Sequence, residues 1–295
     1  MKKIIFLLLM FPFLSLAGEK SWSIKEIKSI LIQVENLKLQ FQEKQSSSYH
    51  LTWKGKLSFK NEKGQLHIQS QNFSSKNSWS DSKTKVEIIL SGPSLPVSIF
   101  ASFSEITFSL WKSPVFISSF NGRIKMENTS SDWNISLQEG HIDTFKHRGL
   151  LKLRSVQTDL NLTESEGTFD LQINEGKLNL IKTKGKLVFN SNKLFVHLKF
   201  FEGDIKGFTH FGQVIASAKP NEVNIQTREA LIRFYVMGQG PQVEAYTQTG
   251  FIYAPKYLNK RFRGKSVKVS GRIRSTLNKK GNINLKTETG KIYIN

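Results

Sequence analysis

Short runs of apolar, polar, apolar residues recur along this chain with a spacing of nine. Glycines mark the spacing: Gly122, Gly140, Gly149, Gly167, Gly176, Gly185, Gly203 and Gly212 are separated by nine or eighteen residues throughout. Extended in both directions, the frame runs from Val86 to Ala230 as seventeen units without an insertion. The second position after each origin, from Ile88, Val97 and Ile106 through Ile124, Leu151 and Leu178 to Val223 and Ile232, is apolar in every unit. The fourth position, from Leu90 and Ile99 to Ile225 and Phe234, is apolar except at Thr144 and Gly207, and small at Ala216. Between the two lie mostly polar residues such as Lys125, Asn134, Asp143, Lys152 and Asn161. Alternation with a period of two predicts a strand with one buried face.

Nine is an odd number, so a straight strand would present opposite faces in successive units. The phase is kept only if the chain bends once per unit, with glycine at the corner where a positive φ is needed. This predicts an all-β fold, a single-stranded β-solenoid or β-helix of nine-residue units. A sandwich of antiparallel hairpins is the competing fold, but hairpin loops vary in length and these units do not. No proline occurs between Pro114 and Pro220 to interrupt a ladder. The spacing leaves two or three units per turn open, and glycine coincidences are better at 27 residues than at 18.

Outside the frame the rhythm changes. Lys2 and Lys3, an apolar run from Ile4 to Phe13 and the small residues of Ser15-Leu16-Ala17 read as a signal peptide over 1–17. The run is too short to span a membrane as a helix. Residues 18–85 read as an N-terminal β cap, 86–238 as the regular array, and 239–295 as irregular, basic C-terminal rungs. The expected location is therefore exported: periplasm, outer cell surface or secreted.

The composition, 38% apolar and 22% charged, suits a folded chain. The lack of cysteine excludes disulfides, a thiol nucleophile and a cysteine zinc site. The net charge of +20 favours anionic partners.

Two C-terminal stretches carry a family likeness. The segments Val243-Glu244-Ala245-Tyr246-Thr247-Gln248-Thr249-Gly250-Phe251-Ile252-Tyr253-Ala254 and Ile283-Asn284-Leu285-Lys286-Thr287-Glu288-Thr289-Gly290-Lys291-Ile292-Tyr293-Ile294 both lead alternating apolar residues into a glycine corner. With the G-x-φ-x-φ units before them, the chain resembles the bacterial putative-adhesin family of unknown function. That resemblance implies an exported or membrane-anchored β-solenoid and carries no catalytic residues, metal or cofactor.

Solenoid lyases and hydrolases acting on polysaccharides need clustered carboxylates on one lateral face. Asp143 and Asp170 lie 27 residues apart, and a three-unit turn would stack them; Asp132, Asp159 and Asp204 share another phase. His141 and Asp143 project from one strand face, with His147 past the bend, in a spacing that could be written as metal ligands. Such residues are ordinary at outward positions, and the expectation is no enzyme. A trough for envelope lipid would need gaps in the inward rows, for which Thr144, Gly207 and Ala216 are the candidates.

The remaining signal is electrostatic. From Ala245 to Thr287 there is no Asp or Glu. The stretch contains Lys256, Lys260, Arg261, Arg263, Lys265, Lys268, Arg272 and Arg274, interleaved with Tyr253, Tyr257 and Phe262. Cations among aromatics suit an anionic envelope surface, lipopolysaccharide or an acidic glycan. A solvated edge whose charge prevents stacking of copies has the same composition. Export argues against an intracellular nucleic-acid role. The expectation is an adhesin-like structural or binding protein with a basic C-terminal surface.

Overall fold

The structure is a computed structural model that describes residues 15–70, 85–237, 241–273 and 281–295. Most of the expected signal peptide, residues 1–14, lies outside the described residues, as does Arg274. The described chain is all-β, with no α-helix and one 3-10 turn at Ile24–Glu26. Its strands join into a single hydrogen-bonded network.

The nine-residue frame sets the strands of the middle. They are β6 (Val97–Ser109), β7 (Val115–Glu127), β8 (Trp133–Phe145), β9 (Arg148–Thr163), β10 (Glu166–Ile181) and the long β11 (Lys184–Val236). Each of the first five holds two units, and each pairs in parallel with its successor at a stagger of eighteen residues. Ile106 thus faces Ile124, Ile124 faces Ile142, Ile142 faces Leu160 and Leu160 faces Leu178. Within β11 the stagger continues, with Gly203 packed on the Gly185 carbonyl and Gly212 on that of Leu194. Two units per repeat, and not three, is therefore the pairing distance.

Both rows read from the sequence face inward. Ile124, Leu151 and Leu178 are fully buried, as are Leu90, Ile99, Leu153, Leu180 and Phe234. The three weak positions are closed too. Thr144 and Ala216 are buried, and Gly207 is bare because the Phe189 ring lies where its side chain would be.

One corner recurs once per eighteen residues. Leu110, Asn128, Lys146, Glu164, Lys182 and Phe200 hold φ between 51° and 61°. These are left-handed turns at non-glycine residues, each costing about 1–2 kcal/mol. The backbone groups beside them are paired across the stagger: Leu110 N–H donates to the Glu127 carbonyl, Asn128 N–H to Phe145 and Lys146 N–H to Thr163. Three residues after four of these turns stands Gly149, Gly167, Gly185 or Gly203, with φ of 127–151°. A methyl group on Gly167 or Gly185 would strike the carbonyl of the glycine one repeat earlier.

The two ends share a second device. At the N-terminal end lie β1 (Ser15–Ser23), β2 (Ser29–Glu43), β3 (Ser48–Glu62), β4 (Gln65–Ser70) and β5 (Val86–Gly92). Strand β2 pairs in parallel with β6 on one side and with β4 and β5 on the other, so it sits between segments that follow it in the chain. Strands β3 and then β1 cover this edge in antiparallel register.

The C-terminal end repeats the arrangement. Here lie β12 (Gln242–Thr247), β13 (Phe251–Tyr253), β14 (Asn259–Arg263), β15 (Ser266–Arg272), β16 (Asn282–Thr289) and β17 (Lys291–Ile294). The last strands, β16 and β17, insert between β11 and the β12–β13 rung. Strand β15 runs antiparallel along β12, and β14 pairs with β15 alone.

Three outcomes follow from this packing. Gly167→Ala should lower the urea-unfolding free energy by roughly 3 kcal/mol or more, since the methyl has backbone above it and the φ of 151° resists a side chain. Gly264→Ala, at a turn with open space around it, should cost only about 1–2 kcal/mol, that of the left-handed backbone alone. Removing residues 282–295 should expose facing edges of β11 and β12 and yield aggregates in size-exclusion chromatography. A monomeric, fully folded truncated chain would contradict the inserted-strand arrangement.

Candidate functional site

The cations singled out by sequence divide in three. Lys256, Arg261, Arg263, Lys265 and Arg272 are exposed, and among the described residues no carboxylate stands within ion-pair distance of any of them. Lys268 is neutralised by Glu244, with Nζ 2.5 Å from Oε1 across the β12–β15 ladder. Lys260 has a structural bond: its ammonium donates to the Ile252 carbonyl at 3.0 Å and lies 5.2 Å from the centre of the Phe262 ring.

The fold makes this a tip. All five residues of β14 are exposed, and Gly264 at φ 59° turns the chain into β15. On the other strand Val267 and Val269 are buried, so β15 rests on the core while β14 overhangs it. Cross-strand register places Arg261 beside Lys268 on one side and Phe262 beside Val267 on the other. Phe262 is 69% exposed and Phe251 63%.

Beside the tip is a stack that the sequence reading did not single out. The Tyr253 and Tyr293 rings lie 4.6 Å apart and 8° from parallel, and the Arg233 guanidinium is 5.3 Å from the Tyr293 ring. The signal was available in the paired runs Phe251-Ile252-Tyr253 and Lys291-Ile292-Tyr293, but only the insertion of β17 beside β13 brings them together.

The carboxylates do not cluster. Asp143 faces Asn161, while Asp170 faces Lys152 and Val188, so the two belong to different stacks. A 27-residue neighbour relation does not exist at the observed stagger. Asp143 starts a polar ladder, accepting from Asn161 Nδ2 at 2.8 Å, while Asn161 accepts from Asn179 Nδ2 at 2.9 Å. Asp159 lies beside His141 and Lys177, and Asp132 accepts the Leu150 N–H at 3.3 Å.

The three ligand-spaced residues also separate. His141 Nε2 lies 3.0 Å from Asp143 Oδ2 on the surface. His147 is wholly buried at the corner, in a column with Trp111, Thr129, Ser165, Thr183 and Phe201 at eighteen-residue spacing. Its Nδ1 meets the Thr129 hydroxyl at 2.9 Å, and its backbone N–H donates to Ser165 Oγ at 3.1 Å. Its Nε2 has no hydrogen-bond partner among the described residues. Burial pushes the imidazole down to about 4, against a small opposing effect of Asp132. Among the described residues no group of three metal-binding side chains forms.

Dents in the surface are shallow. One of about 490 Å³ is lined by Glu19, Lys44, His50 and Thr52 among others, where His50 bridges the Ser21 and Ser48 hydroxyls at 2.9 and 3.0 Å. Another of about 350 Å³ lies over Phe189 and Gly207. Among the described residues no helix is long and apolar enough to cross a membrane.

No family model and no curated protein matches the chain. Two solved structures align over most of it. A putative cell adhesion protein from Clostridium sporogenes is 12% identical, covers 94% of this chain and 98% of its own, and has a TM-score of 0.21. A putative adhesin from Bacteroides fragilis is 10% identical, with 95% and 97% covered and a TM-score of 0.35. Superpositions this loose carry no argument about the chain.

The corner histidine gives a pH dependence with a definite sign. Above pH 6.5 it is neutral both folded and unfolded and adds no penalty. Below that, the unfolded chain takes up a proton that the folded chain refuses until about pH 4, so stability falls as pH falls through this window. Between pH 7.5 and pH 5 the loss from this group should be about 2 kcal/mol. His147→Thr, which continues the hydroxyl column, should remove that part of the slope in urea unfolding. An unchanged slope would mean that the imidazole is not held neutral.

Proposed function

We propose that this chain is an exported, non-enzymatic, adhesin-like protein of the cell envelope or surface. It would be a β-solenoid of two nine-residue units per turn whose basic C-terminal end binds anionic partners. The coil is supported by the uniform parallel stagger of eighteen residues together with the inward burial of both apolar rows. Repeated corners on such a rod give a stiff scaffold, which suits presentation of a surface at its end better than chemistry along its side.

One observation carries the binding role. The exposed hairpin holds Arg261, Arg263 and Lys265, with Lys256 and Arg272 near it, and no carboxylate among the described residues balances them. The anionic envelope surface, lipopolysaccharide and acidic glycans share the charge that this end would recognise. The lyase or hydrolase alternative is weakened by the separation of Asp143 from Asp170. The lipid-trough alternative is weakened by the Phe189 ring over Gly207. Export rests on the sequence of residues 1–17.

Two measurements test the reading. After cell fractionation the protein should appear in the envelope or outside the cell, and a high-salt wash should release what is attached. Arg261→Glu combined with Arg263→Glu and Lys265→Glu should weaken cosedimentation with anionic vesicles or retention on an acidic polysaccharide by at least about a hundredfold, the loss of three cations at roughly 1 kcal/mol each before the added repulsion is counted. Native-like binding by the triple variant, or a cytoplasmic location, would overturn it.

A further inference from the structure

We propose that the occupant of the C-terminal tip is an anionic phospholipid bilayer, entered by the rings of Phe251 and Phe262. This rests on the reading of the basic end as a surface for anions, and adds which surface and how it is held.

The argument starts from the two phenyl rings. Outward phenylalanines of the array, such as Phe120 and Phe200, leave 38% and 47% of their surface in water, whereas Phe262 and Phe251 leave 69% and 63%. Neither carries a polar handle, so hydrogen bonding cannot explain their exposure. Lys260 links the two strands that carry them. Its ammonium is bonded to the carbonyl of Ile252, the residue after Phe251, and sits over the Phe262 ring.

The surroundings match the chemistry of a headgroup layer. Tyr253 and Tyr257 are 50% and 42% exposed, presenting amphipathic rings of the kind that settle at a bilayer interface. Arg261, Arg263 and Lys265 stand on the same hairpin, where lipid phosphates would meet them. Arg233, stacked on Tyr293, extends the positive surface behind the rings. Among the described residues β14 pairs only with β15, so its other edge is unpaired.

An acidic polysaccharide or a nucleic acid would satisfy the cations and could stack on one face of a phenyl ring, leaving the rest of the ring in water. A bilayer would satisfy the cations and enclose the rings, combining burial of apolar area with attraction to anionic lipid. Two weak attachments of different kinds together give an anchoring that neither gives alone.

The test uses the protein with vesicles of phosphatidylcholine containing phosphatidylglycerol, with pure phosphatidylcholine vesicles, and with heparin as a soluble polyanion. Native protein should bind the mixed vesicles far more tightly than the neutral ones. Phe251→Ala combined with Phe262→Ala should weaken vesicle binding by about tenfold or more, leave heparin binding within about twofold, and leave the urea-unfolding midpoint unchanged. The triple charge reversal should weaken both. In a second arm, Phe262→Trp should show fluorescence quenching by lipids brominated on the acyl chains, beyond that of the native tryptophans.

Vesicle binding that ignores the loss of both rings, or a bound Phe262→Trp chain that escapes quenching, would overturn the bilayer while leaving the anionic surface standing. Heparin binding that falls as much as vesicle binding would assign the rings to a glycan and overturn it likewise. If native protein binds neither probe, the anionic-surface reading fails and this one with it.

Discussion

Each residue in the middle of this protein touches its counterpart eighteen positions away, and that self-contact constrains everything else. Parallel strands at one fixed stagger put like position beside like position. Ile124 therefore packs between Ile106 and Ile142, and Gly167 between Gly149 and Gly185. A side chain that suits its place in one unit is tested again by its neighbours above and below. Bulk must be shared out along a column, as when Gly207 yields its volume to Phe189. Charge must be shared out as well: at the corner, Glu164 stands between Lys146 and Lys182, at 4.0 and 3.6 Å.

Such stacking has no natural end. The last repeat at either side would leave a row of unpaired backbone groups facing water. The chain answers by pairing out of order. Strand β2 is clasped between β6 and the later β4–β5 segments, and β16–β17 enter between β11 and the earlier β12–β13 rung. Antiparallel strands then cover the outer faces. This arrangement commits both ends to long-range contacts, so neither is completed by its local sequence alone.

That distinction explains what could be read in advance. The inward rows were legible because alternation is local: Ile88, Val97 and Ile106 declare a buried face without reference to a partner. The number of units per repeat was not. Glycine serves two kinds of corner. One column, Gly149 to Gly203, has no room for a methyl, while the other mixes Gly140 and Gly176 with Thr158 and Leu194. Glycines from the two columns fall 27 residues apart, as Gly149 and Gly176 do, and this coincidence mimics a three-unit turn. The burial of His147 is not legible in the sequence, because the strand pattern is silent past the bend, where a second, buried column runs. The tyrosine stack escaped because it depends on the inserted β17. The basic stretch was legible as composition, but only the fold separates Lys260 and Lys268, which have partners, from Arg261, Arg263 and Lys265.

The contrast between flank and tip bears on where this molecule acts. Along the flanks some polar side chains are paired one repeat away, as in the Asp143–Asn161–Asn179 ladder and the Lys146–Glu164–Lys182 series. Those contacts need no ligand, because the side chains in them partner one another. The β14 hairpin is outside that regime. Among the described residues no carboxylate compensates its arginines and Phe262 stays exposed, and its register on β15 would be met as well by uncharged residues. Its cations are therefore not a by-product of the repeat. Net charge keeps copies of a rod apart wherever it is placed, but two bare phenyl rings at a tip work against that purpose. The arginines and Phe262 lie on β14 and Phe251 on β13, at positions whose packing on the core requires neither charge nor phenyl.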